Sequence, residues 1–243
     1  PGIYACGAFT GPKDIPQSVM EASAATCAAT EKLASVRHTR TAVTAPPPEK
    51  DVRRDPPRIG VFVCNCGINI GGVVDVPAVA QDAKTLPNVV YVEENLFTCS
   101  QDTQDKIAAV IREKALNRIV IAACTPRTHE ALFQETLINA GLNKYLLEMA
   151  NIRNQDSWVH ANNPDAATQK AKDLVRMAVA KSSLLKPLKQ TDLPISHSAL
   201  VVGGGIAGMT AALALARQGC PVHSGEQSGR VGGNARRLHR TYR

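Results

Sequence analysis

The run R-I-G-V-F-V-C-N-C over residues 58–66 decides how the chain folds. Ile59 to Val63 is an apolar stretch of strand length, and two cysteines, Cys64 and Cys66, follow it at once. The pattern then recurs. Apolar runs at Val89 to Val92, Ile119 to Ala123 and Tyr145 to Leu147 predict three more strands. Helical patterns over Val76 to Leu86, Gln101 to Ala115 and His129 to Ala140 separate them. This βαβαβαβ alternation predicts an α/β fold with a parallel sheet. Right-handed crossovers then aim every strand-to-helix loop at one edge of that sheet, the C-terminal strand edge.

Composition agrees with that class. The chain has 243 residues, 44% hydrophobic but only 4% aromatic, so its core must be built from Val, Ile, Leu and Ala, as buried parallel strands under Ala-rich helices require. The formal charge of +7 is spread over Arg37 to Arg40, Arg53, Arg54 and the tail from Arg236 to Arg243, with few aromatics to stack on bases. Nucleic acid is therefore not the expected partner; an electronegative redox partner or cofactor fits the charge equally well. No apolar run reaches the ~18–20 residues of a membrane span, and no signal-peptide order opens the sequence, so a soluble, cytoplasmic protein is expected.

Around this centre the chain divides into five expected parts. Residues 1–43 carry a short strand-like run, a Gly/Pro turn and an Ala-rich helix from Ile15 to Ala34, too little to bury a core alone. Residues 44–57, with five prolines in T-A-P-P-P-E-K-D-V-R-R-D-P-P, read as an extended, exposed linker. The cysteine-bearing α/β domain follows over 58–160. Residues 161–197 hold a long helix, capped by Asn163-Pro164 and running to about Leu185, and a connector. Residues 198–243 open a Rossmann-type domain.

Seven cysteines, at 6, 27, 64, 66, 99, 124 and 220, favour thiols, metal ligands or redox chemistry over structural disulfides. Four of them follow strands: Cys64 and Cys66 the first, Cys99 the second, Cys124 the third. On a common edge their thiols could hold an iron-sulfur cluster, with amide donors from nearby helix N-termini. The compact C-x2-C-x2-C run of ferredoxins is missing. By spacing alone, a zinc site, a dithiol pair and simple buried or free thiols remain open. Arg127 and His129, beside Cys124, are candidates to tune such a centre, and Trp158 reads as a core or interface residue.

Ala199 to Val202 is an apolar strand running into G-G-G-I-A-G at residues 203–208 and then a helix from Met209 to Gln218. Gly203, Gly205 and Gly208 form G-x-G-x-x-G in the context a dinucleotide site needs, so Gly203, Gly205, Ile206, Ala207 and Gly208 are candidate cofactor contacts. Glu226 stands near the offset of the ribose-binding acid. Gly232 and Gly233 after it favour FAD over NAD, since flavoproteins of the glutathione-reductase type carry a second glycine pair there. The second strand would be C-P-V-H-S-G at 220–225, where a proline and polar residues are a departure.

Three long motifs add a family resemblance. R-I-G-V-F-V-C-N-C-G-I-N-I-G-G-V-V-D-V, N-L-F-T-C-S-Q-D and A-A-C-T-P-R-T-H-E, with E-M-A-N-I-R-N-Q-D-S-W-V-H beyond them, resemble the N-terminal domain of the heterodisulfide reductase A-subunit, an iron-sulfur flavoprotein family of anaerobes. The resemblance implies a 4Fe-4S cluster on Cys64, Cys66, Cys99 and Cys124, FAD at the glycine loop, and electron transfer between them. It implies an oxidoreductase component that serves as the flavin-bearing point of electron entry or bifurcation beside other subunits, with no catalytic side chain of its own. Residues 1–26 are similar to the closing segment of the same flavin domain, where Gly7, Asp14 and Ile15 would approach the flavin; Ala8 stands where related flavoproteins place an aspartate. The order of parts then suggests a partial chain crossing the junction of two such modules, inactive alone, or two ends that meet in one reduced flavin site. A non-catalytic docking module with incomplete cofactor sites is the alternative, and a simple pyridine-nucleotide oxidoreductase a third.

Overall fold

The computed structural model describes residues 2–42 and 44–238, so the end of the basic tail, up to Arg243, lies outside the described residues. In chain order the elements are α1 (Ile15–Leu33), β1 (Ile59–Cys64), α2 (Val76–Ala83), β2 (Val89–Asn95), α3 (Gln101–Glu113), β3 (Arg118–Ala123), α4 (Pro126–Asn139), β4 (Leu147–Asn151), α5 (Pro164–Leu184), β5 (Ala199–Val202), α6 (Ile206–Arg217) and β6 (Val222–Gly225). They form two compact units. One is Thr44–Thr191; the other combines Pro1–Val43 with Asp192–Arg243.

The Thr44–Thr191 unit is an α/β fold around a four-stranded parallel sheet in the order β2-β1-β3-β4. All six residues of β1 and all six of β3 are buried, as central strands covered on both faces must be. Val61, Phe62, Val63, Ile119, Val120 and Ile121 show no exposed surface and anchor one continuous core with Val79, Phe133, Leu137, Ala171 and Val175 from the helices. Asp75 caps α2 through Ala78, and Asn163 caps α5 through Ala166, each with a proline in the first turn. Helix α5 lies against α2, β3 and β4, so the long helix is part of this unit.

Several expected boundaries shift, among them α6, which starts at Ile206 and not Met209. The fourth strand runs Leu147–Asn151 instead of Tyr145–Leu147, because pairing with Ile119–Ala123 of β3 selects the later residues. Helix α4 starts at Pro126 and not His129, with Thr125 as N-cap, so its first turn directly abuts Cys124. The proline-rich stretch is mostly exposed, yet it is not free. Val52 is buried, Lys50 donates its N–H to the Gly141 carbonyl at 2.9 Å, and Asn117 Nδ2 donates to the Pro56 carbonyl at 2.9 Å.

The other unit is thin. β5 and β6 pair in parallel, with Ala199 N–H donating to the Pro221 carbonyl at 2.9 Å, so Pro221 sits just ahead of the strand where its missing N–H costs nothing. The departure at C-P-V-H-S-G therefore still forms a strand, though an exposed one. Within this unit α1 lies along α6: Gln218 Nε2 donates to Cys27 Sγ at 3.3 Å and Arg217 pairs with Glu31 at 3.6 Å. Neither helix buries a residue fully. Among the described residues no helix is long and apolar enough to cross a membrane.

One buried group opposes the fold. Asp156 shows no exposed surface, and among the described residues neither carboxylate oxygen has a hydrogen-bond partner. Burial pushes its carboxyl up to about 6, only partly opposed by Lys170. A raised folded-state value means that ionisation of this group costs the fold nothing below about pH 4, where it is protonated folded and unfolded, and that the penalty is complete once pH rises through 6.

Asp156→Asn keeps the shape and removes the charge. Thermal melts should show it more stable than the wild type at pH 7.5, by on the order of 2 kcal/mol, with the gap closing near pH 4. In the core, Ile121→Ala should cost about 3 kcal/mol in a denaturant titration, whereas Val202→Ala at an exposed site should stay within about 0.5 kcal/mol.

Candidate functional site

The sheet order makes β1 a switch point: the connection to β2 leaves on one side, and the connection from β2 returns across β1 to reach β3 on the other. Cys64 ends β1, and Cys124 follows β3 directly. The β1–β2 pairing continues beyond the strand, since Asn65 N–H donates to the Asn95 carbonyl at 2.8 Å and Cys66 N–H to the Leu96 carbonyl at 2.9 Å. This ties Cys66 to the loop that bears Cys99. Cys66 has a positive φ of 47°, a bend that turns the chain across the rim into the Gly67–Asn69 turn.

Cys64 is buried and its Sγ accepts the Thr98 N–H at 3.4 Å. Thr98, itself fully buried, is held from behind by Gln104, whose Nε2 donates to the Thr98 carbonyl at 2.6 Å. Thr98 Oγ1 and Asn95 Oδ1 are buried with no partner among the described residues. Cys99 precedes the N-cap of α3, Ser100, and Cys124 precedes the N-cap of α4, Thr125. Two helix N-termini, each with partial positive charge, therefore open at the thiols.

The thiols feel one another. Burial pushes the Cys99 thiol up, and the nearby Cys64 and Cys66 add to it; burial also pushes Cys124 up, with Cys64 and Cys99 adding. Arg153 opposes the shift at both. Its Nη1 reaches Cys66 Sγ at 3.8 Å. All four sequence-predicted cysteines thus lie along one rim of the sheet. Among the described residues, however, no three His, Cys, Asp or Glu side chains stand as a group that could hold a metal ion. The donor set still suits an iron-sulfur group: thiol ligands, helix N-termini and a buried hydroxyl without a partner beside Cys64.

The glycine loop has the geometry its motif requires. Gly203 has a φ of 107° and donates to the Gly225 carbonyl at 2.7 Å, tying the loop to the end of β6. A side chain on Gly208 would overlap the Gly203 carbonyl oxygen, which explains the third glycine as a close helix–strand approach. Gly205 is the N-cap, and Ile206 and Ala207 are the first two residues of α6. Glu226 turns inward to the loop: Oε2 accepts the Gly204 N–H at 2.6 Å, while Oε1 accepts from Ser228 N at 2.8 Å and Oγ at 2.9 Å. The Ser228 and Gly204 N–H groups hold its carboxyl below the usual range. Gly232 donates to the Gly204 carbonyl at 2.7 Å, so the second glycine pair closes over the first.

In the N-terminal segment Gly7 has a φ of 63° and donates to Glu21 Oε2 at 2.9 Å; Glu21 also pairs with Lys13 at 2.6 Å. Asp14 caps α1 by accepting the Gln17 N–H at 2.7 Å, and Ile15, the first residue of the helix, is exposed. These residues lie in the same unit as the glycine loop.

Sequence reasoning missed Arg153. It nominated Arg127 and His129, which occupy the first turn of α4, whereas the guanidinium that reaches a thiol comes from the π-helical turn Arg153–Ser157 after β4. Trp158, expected in a core or interface, is 53% exposed and lies under Arg153 with 4.8 Å between the guanidinium carbon and the ring centroid. The only signal was the spacing of Arg and Trp, five residues apart, which no α-helical or strand period brings together.

Comparison with known proteins gives this geometry a context. A family model for an NAD(P)-binding Rossmann-like domain matches residues 201–241. The chain is 50% identical over 194 residues to the A-subunit of the H(2):CoB-CoM heterodisulfide,ferredoxin reductase of Methanothermobacter marburgensis, a match covering 80% of the chain and 29% of that protein. It is 49% identical over 186 residues to a protein of Archaeoglobus profundus named as like the heterodisulfide reductase A-subunit, covering 76% and 26%. It is 50% identical over 186 residues to the second iron-sulfur A-subunit of the CoB--CoM heterodisulfide reductase of Methanopyrus kandleri, covering 76% and 28%. The chain spans less than a third of the length of these relatives. At about half identity over most of its own residues, the chain is heterodisulfide-reductase-A-like, matching one part of those A-subunits.

Proposed function

We propose that this chain is an electron-transfer component of a heterodisulfide-reductase-like complex, with a 4Fe-4S cluster on Cys64, Cys66, Cys99 and Cys124 and FAD at the Gly203–Gly208 loop. The observation that carries this reading is the geometry of the rim: Cys64 ends β1, Cys124 follows its neighbour β3, and the loop of Cys99 is tied to both Cys64 Sγ, through the Thr98 N–H, and Cys66 N–H, through the Leu96 carbonyl. When bound, the cluster supplies one-electron transfer and FAD supplies exchange between two-electron and one-electron steps.

The chain's own residues have definable tasks. Cys64 and Cys124, both buried, are the inner thiols, while exposed Cys99 and half-buried Cys66 stand at the opening. The N-termini of α3 and α4 favour negative charge at the sulfurs. Thr98 N–H donates to Cys64 Sγ and holds that sulfur in place. At the other site Gly205, Ile206 and Ala207 present the N-terminus of α6 to a pyrophosphate, and Gly232 and Gly233 carry the chain over the loop.

A docking role without cofactors has one feature in its favour. Ile68, Leu96, Phe97, Trp158 and Val159, all exposed, belong to the loops that bear the cysteines or to the turn beside them. Such apolar exposure suits contact with another protein of the complex. Iron uptake separates the two readings.

Anaerobic reconstitution with iron and sulfide should give a brown protein with about four irons per chain and a reduced-state electron paramagnetic resonance signal. Cys64→Ser and Cys124→Ser should each lose most of the iron. A colourless wild-type protein would leave only the docking role. For the glycine loop, flavin fluorescence titration should show Gly208→Val binding FAD at least about tenfold more weakly than the wild type, because the new side chain displaces the Gly203 carbonyl.

A further inference from the structure

The segment after β4 is built in a way that the electron-transfer reading does not use. Ile152, fully buried, donates its N–H to the Ala123 carbonyl at 2.9 Å, so the chain leaves the sheet right beside Cys124. It then forms a single π-helical turn, Arg153–Ser157. The defining bond is Trp158 N–H to the Arg153 carbonyl at 3.0 Å, five residues apart, which stacks residue 158 against residue 153 as an α-helix would not. The indole lies under the guanidinium at 4.8 Å.

This turn is fixed to the cysteine rim from two sides. Ser157 Oγ donates to the Asn69 carbonyl at 2.6 Å, and Asn69 N–H donates in turn to the Cys66 carbonyl at 3.1 Å. Asn151 Oδ1 accepts the Asn154 N–H at 2.9 Å, and Asn154 Oδ1 accepts from Arg153 Nε at 3.2 Å. Four constraints therefore hold one guanidinium: the π-turn, the indole, Asn154 and the Cys66 sulfur at 3.8 Å. Among the described residues no carboxylate forms an ion pair with Arg153, so its charge is not cancelled locally. A π-turn inserted where an ordinary turn would close the chain is a costly local choice, and such turns concentrate at functional sites.

We infer that Arg153, clamped on Trp158 by the π-turn, is the positioning residue that sets the reduction potential of the thiol-bound centre, acting through the Cys66 sulfur. This rests on the cluster reading above. A fixed positive charge stabilises the more negative, reduced state and so raises the potential. The aromatic face keeps the guanidinium in place while leaving its charge uncompensated, a task lysine's flexible stem performs less well.

The test is a redox titration of the reconstituted full chain followed by electron paramagnetic resonance. Arg153→Gln should move the midpoint to lower potential, Arg153→Lys should restore it in part, and Trp158→Leu, at an exposed site, should lower it by less than Arg153→Gln. A residue with a merely structural part would change iron content or melting temperature and leave the midpoint of the loaded protein where it was. An unchanged midpoint in Arg153→Gln overturns the inference while the cluster reading stands. If that variant takes up no iron, Trp158→Leu decides, and its unchanged midpoint overturns the inference. No iron in the wild type overturns both.

Discussion

Everything at the cysteine rim follows from how parallel strands must be connected. A parallel pair needs a crossover of a dozen or more residues, and each crossover starts from the same end of the sheet. With β1 central and β2 and β3 on either side, the chain delivers Cys64 and Cys66, then Cys99, then Cys124 to one edge, although 58 positions separate the last from Cys66. The cost of that arrangement is a sheet buried on both faces, and the fully buried β1 and β3 meet it. The same connections set the N-termini of α3 and α4 at the edge, so the topology supplies thiols and favourable dipoles together.

The two units differ in what holds them. Thr44–Thr191 has a continuous core of wholly buried Val, Ile, Leu and Phe residues. The other unit relies on backbone pairing, glycine contacts and a satisfied glutamate, and its large apolar side chains, such as Leu200, Val202 and Ile206, remain exposed. A Rossmann domain buries such residues beneath further strands and helices.

Much of this was legible in the residues themselves. The β1 and β3 runs are almost wholly apolar, so their position and burial followed directly, and G-G-G-I-A-G between a strand and a helix marked the loop in which the structure has a positive φ at Gly203 and a tight approach at Gly208. The fourth strand was harder. L-E-M-A-N mixes polar and apolar residues because β4 is an edge strand, so its boundary was set by pairing with β3 and not by its own pattern. Arg153 was invisible for a different reason: a π-turn has no sequence period, and its role arises only from tertiary anchoring through Asn69 and Ala123. Glu226 was read as the acid near the ribose offset; its contacts with Gly204 and Ser228 depend on a fold of the glycine segment that spacing does not describe.

The central claim is that four thiols from three loops serve one centre. Quantitative alkylation read by mass spectrometry, before and after anaerobic loading with iron and sulfide, tests it most directly. The account predicts that loading protects positions 64, 66, 99 and 124 together while 6, 27 and 220 stay as reactive as before. Protection of a different set, or of none, would contradict it.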